Sequence, residues 1–389
     1  MILTILPSVP IWKDSKTLIF DRKFYDGILK YCELWPGHIR CIMRNTSQDL
    51  PDFGIIRLEN KNLPFEIIIV DRCKDISYEH IANSNTILAS ADNHELLHIS
   101  SLCHEQNIRC IYIIEYTLTT RLQIVALQAP TFLHRIRSSV FVIRQEYRRI
   151  KAFSLAAGIQ ANGVPTYRKY SSIQGDDLLY FDNRVESAEI IGNAQLERRL
   201  GDLPKNKPLR LALSGRLTKI KGADDLLKVA ELLSNRGINF VLTIYGSGDL
   251  IQQLETTIIN KNLTDKVILT GAVNFHSILL PALKDDTDIF ICLHKQGDPS
   301  CTYLETLSCG LPIVGYDNEA FKGILDTNDI GWSAPINKVI KIADILVHLH
   351  RNRHLIPSKA YKCVETAKNN DFQKTFERRV NHLIKQTPL

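Results

Sequence analysis

The stretch that decides the fold is Leu211–Gly222, LALSGRLTKIKG, in which an apolar strand ends at a glycine and a basic turn leads into a helix. A strand followed by a small residue and a helix N-terminus brings backbone amides and cations together, an arrangement that suits a phosphate. Arg216 offers a planar fork of donors for phosphate oxygens, and Lys221 offers a compact charge. Taken alone, the stretch fits a basic surface turn equally well.

A second informative stretch is Asp288–Gly315, DIFICLHKQGDPSCTYLETLSCGLPIVG. Its apolar start predicts a buried strand, which a polar loop and then a helix near Cys301 would follow. Ser300 is the predicted N-cap, so the amides of the next three residues would face the loop unpaired and would suit an anion. Glu305 lies one turn further in, where its carboxylate can accept hydrogen bonds from sugar hydroxyls.

Around these stretches, short apolar runs alternate with longer segments of helical period. The strands predicted in the first half are Leu3–Leu6, Ile39–Met43, Ile55–Leu58, Glu66–Val70, Thr86–Ser90, Arg109–Ile114 and Val140–Ile143. Those in the second half are Arg210–Ser214, Asn239–Tyr245, Lys266–Thr270, Asp288–Cys292, Pro312–Gly315 and Gly331–Ser333, with helices such as Gly222–Asn235 and Asp249–Asn260. This alternation indicates βαβ units, and therefore an α/β chain with doubly wound parallel sheets.

The two series of strands lie on either side of a polar stretch, Asp202–Lys207, which we interpret as a linker. The predicted domains are residues 1–204 and 205–371, in keeping with a 389-residue length that is too great for one ordinary core. A final helix, Phe372–Gln386 within residues 372–389, has two open interpretations. It either crosses back to pack on the first domain or is a solvated terminal helix.

Composition narrows the class of protein. The net charge of +6 is mild, which argues against a dedicated nucleic-acid binder. No apolar run reaches the ~18 residues that span a bilayer, and the segment Met1–Trp12 carries two prolines and no basic leader. We therefore expect a cytoplasmic protein. The nine cysteines include no CxxC pair and are predicted to be reduced thiols.

With both stretches in view, the sequence resembles the retaining GT-B glycosyltransferases, in particular the large family 4 group. GRLTKIKG fits that family's G-R-L-x-x-x-K-G segment, and DPSCTYLETLSCGLPIVG resembles its glutamate-containing donor motif. The segments Tyr245–Leu250 and Lys266–Val273 occupy the places of the intervening strands. The resemblance is strong over Leu209–Asn318 and rests on architecture elsewhere. It implies a GT-B fold, with two Rossmann-like domains facing a central cleft.

The resemblance also implies roles for the matching residues. Arg216 and Lys221 would bind the donor diphosphate, Glu305 the ribose hydroxyls, and the Val273 region the base. The implied donor-binding residues are Gly215, Arg216, Lys221, Gly246, Val273, Asp298, Ser300, Cys301, Thr302, Tyr303 and Glu305. No metal and no cofactor is expected, because the cations would neutralise the leaving diphosphate directly.

One departure from the family pattern concerns its two glutamates, which are separated by seven residues. The place of the first is taken by Gly297, and the nearest acid is Asp298. Either Asp298 reaches the same sugar hydroxyls, in which case it joins Arg216 and Lys221 as a catalytic candidate, or the role is lost. The neighbouring Gly297 and Pro299 favour the first alternative; a loop-capping aspartate is the plain structural one.

The first half offers weaker candidates, all placed after predicted strands, where α/β sheets bind ligands. Lys16, Lys23 and Arg121 are predicted to bind the acceptor, with a solvated helix face as the alternative for each. His94 is a predicted catalytic contact to the donor sugar, and Glu115 is a second candidate for that position.

Two further segments of the first half are informative. Asn162-Gly163 matches a short element of the family but also fits an ordinary tight turn. The segment His134–Lys151 carries many arginines and a single glutamate. It is either a solvated basic helix or a patch that faces a membrane or acceptor phosphates.

The implied function is that of a metal-independent, retaining hexosyltransferase. It would move a sugar from a nucleotide-diphosphate sugar to a hydroxyl of a glycan or polyprenyl-linked glycan in cell-surface polysaccharide assembly, at the inner face of the cytoplasmic membrane. No nucleic acid is expected as a partner. The alternatives are another GT-B enzyme, such as a nucleotide-sugar epimerase or a phosphorylase, and a non-catalytic GT-B partner subunit.

Overall fold

A computed structural model describes residues 1–13, 17–50, 54–59, 63–71, 74–173, 175–203 and 207–387. The chain forms two compact units. The first unit contains Met1–Leu118, Leu133–Tyr180 and Gln373–Leu389, and the second contains Thr119–Phe132 and Phe181–Phe372. The middle of the predicted linker, residues 204–206, lies outside the described residues.

The first half of the chain alternates strands and helices. Its strands are β1 (Ile2–Leu6), β2 (Trp12–Lys13), β3 (Thr17–Asp21), β4 (His38–Arg44), β5 (Ile55–Glu59), β6 (Glu66–Val70), β7 (Thr86–Ser90), β8 (Arg109–Ile114), β9 (Gly158–Asn162) and β10 (Leu178–Tyr180). Its helices are α1 (Arg22–Leu34), α2 (Tyr78–Ile81), α3 (Ile99–Glu105), α4 (Leu118–Gln128), α5 (Phe132–Leu155) and α6 (Val164–Tyr170).

The second half continues the alternation. Its strands are β11 (Leu209–Ser214), β12 (Phe240–Tyr245), β13 (Val267–Gly271), β14 (Ile289–Cys292), β15 (Ile313–Tyr316) and β16 (Gly331–Ala334). Its helices are α7 (Asn193–Gly201), α8 (Ala223–Asn235), α9 (Ile251–Asn260), α10 (Leu280–Asp286), α11 (Thr302–Ser308), α12 (Glu319–Leu325), α13 (Val339–Arg351), α14 (Ile356–Lys368) and α15 (Phe372–Gln386). A single π-helical turn, Phe275–Leu279, precedes α10.

The first unit is built on a seven-stranded parallel sheet in the order β10-β9-β8-β7-β1-β4-β6. One face packs a core of apolar side chains from alternate positions of its strands, including Leu6, Ile42, Ala89 and Tyr112. A small antiparallel sheet, β2-β3-β5, accompanies it. The predicted strand at Ile55–Leu58 therefore exists but belongs to this small sheet and not to the parallel one.

The second unit is built on a six-stranded parallel sheet in the order β13-β12-β11-β14-β15-β16. Successive side chains of a strand point to opposite faces, and both faces are covered. Leu211 and Leu213 of β11 thus enter one core cluster, whereas Ala212 enters the other. This burial on both sides explains why the strands read as continuous apolar runs in the sequence.

The predicted strand at Val140–Ile143 is wrong, because these residues lie inside α5. The buried residues of that helix recur with helical period, as at Val142, Glu146, Arg149 and Phe153. A run of four apolar residues does not by itself distinguish a strand from a buried helix.

The C-terminal helix α15 packs on the first unit. Arg379 Nε donates to Gln160 Oε1 at 3.0 Å, and Gln160 Nε2 donates to the carbonyl of Arg379 at 2.9 Å. The ring of Phe376 contacts that of Tyr31 edge-on, with centroids 5.2 Å apart.

Candidate functional site

The candidate site lies where the strand order of the second sheet reverses. From β11 the chain proceeds through β12 to β13 on one side, and β14 to β16 lie on the other. In open α/β sheets, ligands bind at the carboxyl ends of the strands beside such a reversal. The loops that follow β11 and β14, which belong to the stretches Leu211–Gly222 and Asp288–Gly315, both lie at this edge of the sheet.

Glycines allow the loops after β11 and β12 to touch through their backbones. Gly215 N–H donates to the carbonyl of Tyr245, and Leu217 N–H donates to that of Ser247. Gly215 and Gly246 have φ angles of +142° and +136°, which L side chains rarely adopt. A Cβ on Gly246 would lie 1.9 Å from the carbonyl oxygen of Gly215. The loops can approach this closely because Gly246 has no Cβ.

The loop after β14 brings Asp298 against Lys221. Lys221 Nζ donates to Asp298 Oδ2 at 2.8 Å, and the side chains are only 13% and 12% exposed. Burial would raise the pKa of Asp298, but the charge and hydrogen bond of Lys221 outweigh it and hold that pKa below its usual range. The carboxylate is therefore ionised at neutral pH.

His294 lies beside this pair as a neutral imidazole. Burial and the nearby ammonium of Lys221 lower the pKa of His294 to about 3. Its Nδ1 lies 3.9 Å from Asp298 Oδ1, and neither atom has a hydrogen-bond partner among the described residues. Buried Gln296 Oε1 is unpartnered in the same sense. Because buried polar atoms are normally paired, these three retain capacity for a ligand or water.

The structure explains the absence of a glutamate at position 297. A Cβ on Gly297 would lie 3.0 Å from the Cβ of Glu319 and 3.3 Å from Thr120 Oγ1. Thr120 and Gln123 also bond the Gly297 backbone, at 3.3 and 3.2 Å. A side chain at this position would require its neighbours to move.

Arg216 is exposed and has no ion pair or hydrogen-bonded side-chain partner among the described residues. In contrast, Lys295, in the loop after β14, forms ion pairs with two aspartates of the same unit. Its ammonium lies 3.0 Å from Asp224 and 2.9 Å from Asp225, which ties the loop to the first turn of α8. Tyr316 also donates to Asp225, at 2.9 Å.

The prediction of Ser300 as an N-cap is wrong. Helix α11 begins at Thr302 with Cys301 as its N-cap, and no side chain caps it. The Ser300 hydroxyl instead donates to Thr302 Oγ1 at 3.1 Å, and the amide of Tyr303 donates to the Ser300 carbonyl at 3.2 Å. The helix thus begins one residue later than the serine pattern predicts, although Cys301 itself has helical backbone angles. The Tyr303 amide is consequently not free for an anion.

Glu305 is buried and paired with an arginine that the sequence patterns did not single out. Arg184 Nε donates to Glu305 Oε1 at 2.6 Å. The same guanidinium lies over the ring of Phe275, 3.7 Å from its centroid. Val273, the predicted base contact, is half-buried two residues before Phe275. Arg184 is separated from Glu305 by 121 residues, and no local motif marks it.

Tyr303 is also held in place within the second unit. Its ring stacks on Phe321 with centroids 5.5 Å apart, and Asn318 Nδ2 donates to its hydroxyl at 3.0 Å. Asn318 also caps α12. His294 could have been singled out as the first polar residue after the strand at Asp288–Cys292, whereas Asn318 carries no comparable signal.

In the first unit, His94 is exposed and lies in a 3-10 turn, His94–Leu96. It lines a cavity of about 260 Å³ together with the loop Pro7–Pro10, Arg44 and Glu95. This cavity lies at the carboxyl ends of β1, β4 and β7, where the strand order of the first sheet reverses. The unit therefore has its own ligand-sized depression at the expected edge.

Glu115 and Asn162 belong to a polar network beside that edge. Asn162 Nδ2 donates to Glu115 Oε1 at 3.4 Å. Asp92 accepts from the amide of Glu115 at 2.7 Å and from Arg149, a fully buried arginine of α5, at 3.3 Å. These contacts connect the ends of β7, β8 and β9.

The predicted acceptor residues Lys23 and Arg121 belong to different units. Lys23 lies exposed in the first turn of α1 in the first unit, and Arg121 lies half-buried in α4, in the segment assigned to the second unit. Lys16 lies outside the described residues.

The described cysteines are all free thiols, and most are buried. Among the described residues, no group of three His, Cys, Asp or Glu side chains is placed to hold a metal ion. In the same part of the chain, no helix has the length and apolar character needed to cross a bilayer. The predicted basic segment His134–Lys151 is helical throughout, within α5.

The segment that holds this site matches a known protein family. Residues 197–370, a little under half of the chain, match the family model described as glycosyl transferases group 1. That segment contains β11, β14, the Lys221–Asp298 pair and Glu305.

HepE from Anabaena, solved in complex with UDP, superposes with a TM-score of 0.64 at 10% identity, over 99% of this chain and 100% of HepE. Both parallel sheets are included in that coverage. The chain has the GT-B fold.

Two curated relatives match part of the chain. The amylovoran biosynthesis glycosyltransferase AmsK of Erwinia amylovora is 31% identical over 150 residues, 37% of this chain and 36% of AmsK. The putative colanic acid biosynthesis glycosyltransferase WcaL of Escherichia coli K12 is 26% identical over 145 residues, 36% of this chain and 35% of WcaL. The chain thus matches about a third of the length of these relatives.

Proposed function

We propose that the protein is a glycosyltransferase of bacterial polysaccharide biosynthesis that uses a nucleotide-diphosphate sugar as donor. The observation that carries this proposal is the placement of Arg216, Lys221 and Glu305 after β11 and β14, at the strand reversal of the GT-B second sheet. The group 1 match over this segment supports it, as do the names of AmsK and WcaL. HepE, with its bound UDP, supports a nucleotide as the ligand.

We assign each group a task in this reaction. The exposed guanidinium of Arg216 and the ammonium of Lys221 stabilise the negative charge that develops on the leaving diphosphate. Asp298 holds Lys221 through Oδ2, which leaves Oδ1 to accept a hydrogen bond from a hydroxyl of the donor sugar. Neutral His294 offers a further hydrogen-bonding atom without adding charge. Glu305 binds the ribose hydroxyls.

We further propose that transfer retains the anomeric configuration and needs no metal or other cofactor, because the two cations themselves neutralise the diphosphate. The acceptor is a hydroxyl of a glycan or polyprenyl-linked glycan, with Lys16, Lys23 and Arg121 as candidate contacts. His94 is the candidate contact to the donor sugar. Two measurements test this. Product NMR should show the donor's anomeric configuration, and turnover should survive EDTA. An inverted product, or activity abolished by EDTA and restored by Mg²⁺, would contradict the respective statement.

The central test is a transfer assay with UDP-, GDP- and dTDP-sugars and a polyprenyl-diphosphate-linked saccharide as acceptor, following nucleoside diphosphate release. Glu305→Gln should weaken donor binding, and Arg216→Ala should reduce transfer. Arg236→Gln is the matched control, since the Arg236 side chain forms a surface pair with Asp344. The proposal fails if no donor binds and none turns over. Acceptor-independent release of sugar and nucleotide would favour the epimerase alternative.

We also propose that α5 holds the protein on the inner face of the cytoplasmic membrane. The helix exposes an apolar stripe with helical period, opposite its buried face: Leu133, Ile136, Val140, Ile143, Tyr147 and Ile150. Tyr147 is 74% exposed and Leu133 57%. Exposed basic residues adjoin the stripe: Arg135, Arg137, Arg144, Arg148 and Lys151. The single acid and the remaining arginine of this segment, Glu146 and Arg149, are buried. An apolar stripe bordered by cations complements an anionic lipid surface.

Vesicle flotation tests this surface. The protein should float with phosphatidylglycerol-containing vesicles and much less with pure phosphatidylcholine vesicles, and high salt should weaken binding. Arg144→Gln/Arg148→Gln should lower the affinity about 30-fold, from about 1 kcal/mol for each cation. Ile340→Ser, which changes a similarly exposed apolar residue on α13, should have no effect. Equal binding by the double variant would refute the role of α5.

A further inference from the structure

The contact between Arg184 and Glu305 has unused hydrogen-bonding capacity on both sides. Only Arg184 Nε and Glu305 Oε1 take part, at 2.6 Å. Neither Glu305 Oε2 nor the Nη nitrogens of Arg184 have a hydrogen-bond partner among the described residues. Glu305 is buried, whereas the Arg184 side chain is 42% exposed. The pair therefore presents a charged acceptor next to charged donors that solvent can reach.

Arg184 is held in this position from two directions. The side chain of Asn183, which is fully buried, accepts from the amides of Arg184 and Val185 at 2.8 and 3.1 Å. Asn183 Nδ2 donates in turn to the carbonyl of Asn370 at 3.1 Å. At the other end, the guanidinium carbon lies over the ring of Phe275, at a distance typical of a cation–π contact. Binding a ligand here would require little ordering of the arginine, which favours affinity.

A carboxylate oxygen beside guanidinium donors matches one chemical group in particular, a pair of neighbouring hydroxyls. One hydroxyl donates to the carboxylate, and its neighbour accepts from the guanidinium. The ribose of a ribonucleotide carries such a pair at its 2′ and 3′ positions. A 2′- or 3′-deoxy nucleotide keeps only one of the two.

We propose that Arg184 is a nucleotide-binding residue that recognises the ribose diol of the donor jointly with Glu305. This inference rests on the proposed function, in which Glu305 binds the ribose. It adds a second residue, a direction for each hydrogen bond and a selectivity for ribonucleotides over deoxyribonucleotides. Arg184 also fixes the Glu305 carboxylate, so that Oε2 stays available to the ligand.

Isothermal titration calorimetry with UDP, 2′-deoxy-UDP and 3′-deoxy-UDP tests the proposal on the full chain, with GDP and its analogues as the second series. Wild-type protein should bind each deoxy analogue at least about tenfold more weakly, as expected when a hydrogen bond to a charged group is lost. We call this loss of affinity relative to UDP the penalty of the analogue. In Arg184→Met, one analogue should bind within about threefold of UDP, and the penalty of the other should remain. Glu305→Gln should reduce the complementary penalty.

Two further variants guard the conclusion. Arg184→Lys keeps a charge beside Glu305, and so protects the fold, but it lacks the planar fork; it should also lose one penalty. Arg198→Gln removes an exposed arginine of α7 that pairs with Asp285, and it should keep both penalties. Unchanged penalties in both Arg184 variants would overturn this inference alone. Tighter UDP binding in Arg184→Met would also overturn it, since the arginine would then compete for Glu305. Failure of wild-type protein to bind either nucleoside diphosphate would overturn the proposed function as well.

Discussion

The burial of the ion pair between Lys221 and Asp298 predicts how substitutions at these two positions change the free energy of unfolding. Lys221→Met removes the ammonium but keeps the apolar stem, and Asp298→Asn removes the charge but keeps the shape. Either change leaves the other group buried without its partner. We therefore expect each single variant to be strongly destabilised and the double variant to be no worse than either.

The magnitude follows from the distance and the burial. At 2.8 Å and an effective dielectric constant of about 20, Coulomb attraction amounts to about 6 kcal/mol. Desolvation of two ions that are each nearly nine-tenths buried cancels much of this, and removal of one partner of a buried pair typically costs about 3–5 kcal/mol. We expect each single variant to lose about 3 kcal/mol of unfolding free energy, and the double variant to lose about 3 kcal/mol as well. The coupling energy between the two residues is then about 3 kcal/mol.

Urea unfolding measures this coupling if the signal comes from the second unit alone. Of the three tryptophans, Trp332 lies in β16 of the second unit, so a background with Trp12→Phe and Trp35→Phe isolates it. The surface pair Arg236–Asp344, with an N–O distance of 2.7 Å, is the matched control and should couple by less than about 1 kcal/mol. A Lys221–Asp298 coupling no larger than the control value would refute the reasoning.

Three other predictions follow from the same site. Arg216→Ala should reduce transfer at least about 100-fold, the scale of removing one stabilising donor, while leaving the urea midpoint unchanged; normal turnover would exclude the role. The pKa of His294 is about 3 in the folded state and about 6.5 when unfolded, so the unfolded chain binds the proton first and stability falls as the pH falls below 6.5. Between pH 7.5 and 5.5 the free energy of unfolding of the wild type should fall by about 1.4 kcal/mol more than that of His294→Gln. Identical decreases would show that the imidazole is not buried as a neutral group. Gly246→Ala should cost about 3 kcal/mol or more in unfolding free energy and exceed Gly215→Ala, because the φ angles are similar but only position 246 places a Cβ on a backbone oxygen; equal costs would refute the close contact.

Much of the fold was predictable because its strands are buried on both faces. Every predicted strand of the second half corresponds to a strand of the structure, as at Arg210–Ser214 and β11. Val140–Ile143 was mistaken for a strand, since a short apolar run has no period of its own. The strands β2, β3, β9 and β10 were missed. Of these, Gly158–Asn162 contains glycine and polar residues, and Leu178–Tyr180 is only three residues long.

The candidate site was predictable in part. Gly215 and Gly246 occupy turns that only glycine can adopt, and Arg216 stands after a strand, so local pattern sufficed to find them. The prediction of Ser300 as the N-cap was wrong by one residue, since the structure has Cys301 there. Sequence patterns locate the start of a helix only to within one or two residues. Arg149 counted toward a basic surface in the sequence but is an internal residue bonded to Asp92. Charge alone does not reveal which face of a helix is buried.

The sequence by itself determined the alternating elements, the two parallel sheets and the residue types that follow β11 and β14. These features depend on neighbours within a few residues, through burial period and backbone sterics. Only the tertiary structure decided that Asp298 holds Lys221, 77 residues away, and that Arg184 meets Glu305. Such partners come from separate elements whose approach depends on strand order, and the free energy of each contact appears only when the core has brought them together.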